Sequence, residues 1–599
     1  MVKICEAAAP WMLLLVFCWC FCGIANPAPD WALKVEHSVW ENAAYEEAGF
    51  LVFLKEQGDF HGKQLPANKA EKGAFVYQSL QELSNRTQQE IITMLTRENA
   101  EFRKFWIVNM IWVKGDADLL QQLAMREDVA FIYADAAGRL DTALLENEST
   151  TKNNSSSTAE WNLDKINAPQ VWAEGVFGEG AVVGVIDTGF DWEHPALINQ
   201  YRGWRGEAAQ HDYNWHDAIH SGGNIFCPSD SPQPCDGGTH GTYVLGIAVG
   251  DDGGNNQIGV APDAKWIGCR CWEPVRRTHI SYVTECLQWM IAPTDLDGQN
   301  PDPSKAPHVV NNSWVCEPDE GCEAPDALKM VIENVRAAGI VVLGGSGNDG
   351  PGCSSSVFPP AIYESYFSVG ATTDQDQMAD FSSRGPILID GSNRIKPDIT
   401  APGQSIRSSS PGNVYSSGSG TSAAGPHVAG LVALLISANP ELAGNVDLIE
   451  EIIAKTAVLP TTTQVCGNSS EVPNSVYGWG RIDAYAAYQE AIAVVTGIGE
   501  NADNSTPSEF RLMPNMPNPF NPSTLIRYAI PVNSAVEIKI FNTMGQQVRL
   551  LQLQRQPAGI HQIQWDGRKD NGEPAASGMY LYRLKTGTFS ETRKMTLVR

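Results

Sequence analysis

Residues 428–437, Val-Ala-Gly-Leu-Val-Ala-Leu-Leu-Ile-Ser, are apolar around almost the whole circumference of a helix and carry no charge. A helix with no polar stripe has no side to turn to water, so it belongs in the interior of a domain. The runs 181–186 and 339–343 are continuously apolar, not alternating. Strands of a parallel sheet covered on both faces read this way. Between about 160 and 495 such runs alternate with helical segments. The pattern predicts an α/β domain with a doubly wound, mostly parallel sheet.

At 599 residues the chain exceeds one ordinary domain, and its flanks read differently. Residues 1–25 have the form of a signal peptide: Lys3, an apolar run over 11–24, and the small residues of Gly23-Ile24-Ala25. Cleavage is expected after Ala25; a lipid anchor on Cys22 is disfavoured by the bulky residues before it. Residues 26–155 show strand patterns at 49–55 and 129–133, helical ones at 77–98 and 117–125, and alternation at Phe105, Ile107, Asn109, Ile111 and Val113. That β-α-β-β-α-β order predicts a ferredoxin-like α+β sandwich. The polar stretch 146–158 buries little and should be easily cut. The α/β domain is assigned to 156–497 and a polar linker to 498–512. Over 513–599, Val536, Ile538 and Ile540 alternate with Glu537 and Lys539, and Asp566-Gly567 and Asn571-Gly572 mark turns. This predicts an all-β immunoglobulin-like sandwich.

The formal charge of −27 leaves no basic surplus to neutralise phosphates, which excludes a nucleic-acid partner. It suits a soluble extracellular protein and could support structural calcium, but it locates no metal ligand. Beyond the leader no apolar run approaches the roughly 20 residues of a membrane span, so no transmembrane segment is expected in the mature chain. Nine cysteines remain after the leader, all central: Cys227, Cys235, Cys269, Cys271, Cys286, Cys316, Cys322, Cys353 and Cys466. In an exported protein they are disulfide stock. Cys227/Cys235 and Cys316/Cys322 would close short loops, and the odd count leaves a thiol over. Their spacings match no zinc pattern.

Three blocks carry chemistry. Val185-Ile186-Asp187-Thr188-Gly189 ends an apolar strand, Gly238-Thr239-His240-Gly241-Thr242 enters a helix, and Gly420-Thr421-Ser422-Ala423-Ala424-Gly425-Pro426-His427 opens the apolar helix. In an open α/β sheet, functional groups gather at the carboxyl ends of strands. A serine hydroxyl needs a base to take its proton, and histidine suits that task. The base in turn needs a carboxylate to fix its tautomer. His427 and His194 are read as packing residues.

With these blocks in order, the chain resembles the subtilases, the subtilisin-like serine peptidases. Gly259-Val260-Ala261-Pro262 and Lys396-Pro397-Asp398-Ile399-Thr400-Ala401-Pro402-Gly403 add to the likeness. Asn311-Asn312-Ser313-Trp314, Tyr201-Arg202-Gly203-Trp204-Arg205-Gly206 and Trp289-Met290-Ile291-Ala292-Pro293 resemble the bacillopeptidase F-like branch. The likeness spans roughly 160–490. It implies a secreted or cell-surface serine endopeptidase with Asp187, His240 and Ser422 as triad and no cofactor required for catalysis. Ser346-Gly347-Asn348-Asp349-Gly350 implies Asn348 as an oxyanion donor. Asn312, Ser313, Trp314 and Val315, with Gly344, Gly345, Ser346 and Gly347, would bind an extended peptide or protein substrate by strand addition. Tyr243 and Thr239 depart from the histidine and glycine that many subtilases carry there. The unit at 26–155 resembles an inhibitor-type propeptide, which makes the chain a self-processing zymogen. The tail, with Pro517-Asn518-Pro519-Phe520-Asn521-Pro522 and Trp565-Asp566-Gly567, resembles type IX secretion and FlgD-like sorting domains, which implies secretion machinery as a partner. Two rival functions are a non-catalytic surface-binding protein, disfavoured by the full set of site residues, and an acyl transferase acting as a cyclase.

Overall fold

The computed structural model describes residues 31–43, 48–135, 137–139, 144–146, 159–273, 277–314, 326, 328–459, 464–466, 472–494, 510–513, 515, 520, 522, 524–587 and 589–598. The expected leader, most of the polar stretch at 146–158, most of the linker, Val315, Cys316 and Cys322 lie outside them.

The first unit holds strands β1 (Ala48–Leu54), β2 (Glu101–Phe105), β3 (Met110–Gly115) and β4 (Val129–Ala134). They form an antiparallel sheet in the order β2-β3-β1-β4. Asn68 caps the helix Lys69–Thr87 by accepting from the N–H groups of Ala70 and Glu71, and Asp116 caps Ala117–Ala124 through Leu119. The helix expected at 77–98 is two, Lys69–Thr87 and Gln89–Arg97. Gln88 between them is buried, and its Nε2 donates to Phe105 O and Asn109 Oδ1 at 2.8 and 3.0 Å. A tertiary bond to the β2–β3 turn thus sets the break. Two short strands follow, β5 (Ala137–Arg139) and β6 (Leu144–Glu146).

The central unit supplies β7 (Val182–Asp187), β8 (Trp215–Asp217), β9 (Lys265–Arg270), β10 (Arg277–His279), β11 (Val309–Asn312), β12 (Val341–Gly345), β13 (Phe367–Thr372) and β14 (Ile399–Pro402). Seven of them make one parallel sheet, ordered β14-β13-β12-β11-β7-β9-β8. The apolar runs are its middle strands, with β11, β12, β13 and β14 buried throughout. One face packs on the helices His240–Val249 and Thr421–Ala438. Among the described residues, Thr421–Ala438 is the one helix long and apolar enough to cross a bilayer, and 94% of it is buried inside the fold. The other face packs on Ile280–Ile291 and Lys329–Ala337, and its core continues into Leu51, Phe53, Val76 and Leu80 of the first unit. Strands β15 (Ile406–Ser410) and β16 (Val414–Ser419) form a hairpin before the buried helix. Disulfides join Cys227–Cys235, Cys269–Cys286 and Cys353–Cys466, and Cys271 is a buried free thiol.

The last unit has β17 (Arg511–Leu512), β18 (Thr524–Ile530), β19 (Ser534–Asn542), β20 (Gln547–Gln556), β21 (Gly559–Trp565), β22 (Gly578–Thr586) and β23 (Phe589–Leu597). Two antiparallel sheets, β17-β18-β21 and β20-β19-β22-β23, enclose Ile526, Tyr528, Ile538, Trp565, Tyr582 and Leu584. The alternation seen in the sequence is this inward set.

Candidate active site

β7 runs buried to its last residue, so Asp187 emerges at the carboxyl end of a middle strand, 1% exposed. His240 is the first residue of its helix. These segments touch closely enough that side chains are excluded between them. A Cβ on Gly241 would meet Gly189 O at 2.1 Å, and one on Gly189 would meet Cys235 O at 1.9 Å. Thr239 precedes the helix with φ of +70°. Glycine occupies this region freely, which accounts for the glycine common there. A β-branched residue is strained in it by about 1–2 kcal/mol. Tyr243 is buried and its hydroxyl donates to Ile406 O at 2.8 Å, so that departure is a packing tie to β15.

His240 Nδ1 lies 2.8 and 2.9 Å from the two carboxylate oxygens of Asp187. A carboxylate only accepts here, so Nδ1 carries the proton and donates it. Nε2 is then left with a lone pair, and it is buried without a hydrogen-bond partner. A buried, unpartnered acceptor is costly, and here it is a base ready for a proton. Ser422 is 4% exposed in the first turn of the buried helix. Its N–H, by position, has no intrahelical acceptor.

Asn348 follows β12. Its Oδ1 accepts from Thr421 N–H at 2.9 Å and Thr421 Oγ1 at 3.1 Å. A backbone N–H can only donate, so the oxygen is fixed there and the NH₂ end is turned elsewhere. Asn348 is thereby tied to the residue before Ser422. The remaining histidines behave differently. His427 contacts Ala423 O and Asn162 Nδ2 at 2.9 and 2.8 Å, and burial pushes its pKa down to about 4. His194 contacts Val414 O at 3.0 Å, and burial lowers its pKa too.

Of the expected substrate segments, Asn312 pairs with Ile186 inside the sheet, and Gly344 and Gly345 pair with Ser368 and Val369. Ser346 N–H donates to Val369 O. Ser313 and Trp314 are buried, Trp314 edge-on to Trp272 at 6.0 Å. Gly347 accepts from Ser383 N–H. Two short strands of the chain itself are added at further places, which the sequence reading missed. β5 pairs antiparallel with β10, Ala137 opposite His279 and Arg139 opposite Arg277. β6 pairs antiparallel with β16, Leu144 opposite Ser419. Two residues, Gly420 and Thr421, separate Ser419 from Ser422. Such short strands carry too little apolar pattern to be seen in sequence. Among the described residues no group of three or more His, Cys, Asp or Glu is arranged to hold a metal ion.

The fold and site belong to a class. The model of the subtilase family matches residues 178–480, and the chain belongs to that family. It is a serine-type endopeptidase. Bacillopeptidase F of Bacillus subtilis (strain 168) is 36% identical over 456 residues, 73% of this chain and 30% of the relative, so the chain spans under a third of that relative's length. Subtilisin amylosacchariticus of Bacillus subtilis subsp. amylosacchariticus is 31% identical over 330 residues, 55% of this chain and 71% of that protein. Subtilisin of Bacillus pumilus is 32% identical over 281 residues, 47% and 85% of the two chains. The FlgD Ig-like domain model matches residues 526–588.

Proposed function

We propose that this chain is a secreted, self-processing endopeptidase that cleaves extended protein segments through an acyl-enzyme on Ser422. The observation that carries the reading is His240, with Nδ1 donating to Asp187 and Nε2 buried and unpartnered. Nε2 takes the Ser422 proton as Oγ attacks the carbonyl carbon. Asp187 stabilises the imidazolium that forms. The negative charge then on the carbonyl oxygen is met by Asn348 Nδ2 and the Ser422 N–H. His240 returns its proton to the leaving amine, and water repeats the sequence on the ester. Subtilases need no cofactor for these steps, and a structural calcium is assigned to no residue.

The first unit reads as a ferredoxin-like, inhibitor-type propeptide. Its strand order is that of the β-α-β-β-α-β sandwich, and the chain leaving it is added to β10 and then to β16. The bond cut in maturation is assigned between these pairings, after Arg139 and before Leu144. The leader-like start and three disulfides support an extracellular location. The FlgD Ig-like match supports a sorting role for the last unit, with secretion machinery as its partner.

Ser422→Ala is the test. Peptide hydrolysis should fall to the residual about 10³- to 10⁴-fold over water that such sites keep, and His240→Ala should match it. Proteolysis persisting in purified Ser422→Ala puts the nucleophile elsewhere.

A further inference from the structure

Between β7 and the His240 helix stands a carboxylate outside the three sequence blocks. We propose that Asp236 is a positioning residue for the reaction, one side chain that holds both the strand end carrying Asp187 and the helix start carrying His240. The proposal rests on the reading of those two residues as acid and base.

Asp236 Oδ1 accepts from Thr188 Oγ1 at 2.8 Å and from the N–H groups of Gly238 and Thr239, both at 2.9 Å. Oδ2 accepts from the Thr242 N–H at 3.1 Å and the Thr242 hydroxyl at 2.5 Å. The bonds to residues 238, 239 and 242 brace the turn around His240. A helix cap would need no more than these. The bond to Thr188 goes to the other segment. Thr188 N–H donates to Asp187 Oδ1 at 2.7 Å, and Thr188 Oγ1 accepts from the Gly241 N–H at 2.9 Å. So Asp236 reaches Asp187 through one residue, and the same hydroxyl is bound to the residue after His240. The two segments are also bridged at Gly189 and Asp236, and Phe190 N–H donates to Cys235 O at 2.9 Å. The Cys227–Cys235 disulfide closes the loop that delivers Asp236.

This arrangement answers a geometric need. The acid and base come from segments 53 residues apart, and errors of about 1 Å in such a site can cost 10²-fold in rate. A shared carboxylate makes their spacing depend on one group.

The experiment compares Asp236→Asn, Thr188→Val and the double variant by kcat, KM and melting temperature, in the full chain. Asp236→Asn should lower kcat about 10- to 100-fold with KM within about twofold. Thr188→Val should lower kcat in the same direction, and the double variant should cost less than the product of the two. A cap alone would lower the melting temperature and leave kcat at the parent value, which would overturn the proposal. So would full multiplicativity of the two losses. Should Asp236→Asn fail to fold, Thr188→Val decides by itself, and an unchanged kcat there counts against the proposal. Ser422→Ala and His240→Ala run alongside, so failure of the acid–base reading shows up separately, as activity that survives them.

Discussion

The first and last units flank the same peptidase sheet but are joined to it in opposite ways. The first is built into it. Its apolar side chains complete the core of one sheet face. Asp135 caps the helix Ile280–Ile291 through Ser281 N–H at 2.9 Å and Ser281 Oγ at 2.7 Å. Gln288 Oε1 accepts from Trp106 and Ile107 N–H, Arg103 pairs with Glu285 at 3.2 Å, and β5 pairs with the peptidase strand β10. The last unit has its own closed core, and among the described residues an Arg511–Glu441 ion pair at 3.3 Å joins it to the peptidase. Such a partly exposed pair at the surface contributes about 0–1 kcal/mol. A part that shares a core is held until something covalent changes; a part with a core of its own is carried.

The largest expected effect on this contrast comes from Ser422→Ala. The purified variant should keep the first unit in the same polypeptide, at a mass less only the leader, while the wild-type chain starts between residues 140 and 144. Mass and N-terminal sequencing check both. A start within residues 31–100 in fully active enzyme would break the assignment. Next is Asn348→Ala, which should lower turnover about 10²- to 10³-fold, the magnitude known for a subtilisin donor of this kind, and slow the loss of the first unit in proportion. An affinity loss with turnover intact would make Asn348 a binding residue instead.

Acid should then loosen the first unit but not the last. Lys69 donates to Ala306 O at 2.9 Å across the interface, and burial, with Arg202 nearby, pushes its pKa from 10.5 down to about 7. His308, half-buried behind it, is pushed from 6.5 down to about 3 by burial first and Lys69 second. Both are bases that bind protons less well in the joined state. Lowering the pH therefore favours separation, through Lys69 between about 10.5 and 7 and through His308 between about 6.5 and 3. Affinity in the cut complex should fall about 30-fold between pH 7.5 and 5.5, counting roughly half a unit for Lys69 and one for His308. Equilibrium binding at the two pH values measures it, and an affinity that holds would remove these groups from the interface account. The smallest effect should follow deletion of residues 510–599, with kcat/KM of the exported, cut enzyme unchanged within about twofold. A loss beyond that would mean that the last unit supports the site.

The parallel sheet and the three chemical blocks were legible because each is written locally: an apolar run, a terminal polar residue, glycines where segments touch. Asp187 at the end of β7 is such a case. Asp236 was not legible. An acidic residue in Cys-Asp-Gly-Gly looks like any solvated turn until Thr188, 48 residues away, is brought to it. The same holds for β10, three residues whose role depends on the strand laid beside it, and for Gln88, whose side chain breaks a helix by bonding across the fold.

The Cys353–Cys466 link spans 113 residues. Ser422 lies inside that span and Asn348 outside it. A peptidase is exposed to its own kind, and the turn carrying Leu388 and Ile389, 54% and 50% exposed, is an accessible place for a cut. A nick there divides the polypeptide into one piece with Asn348 and another with Ser422, but the bond keeps them a single molecule. Damaged enzyme should therefore run at full mass until reductant is added, and keep working for as long as the two pieces stay folded together.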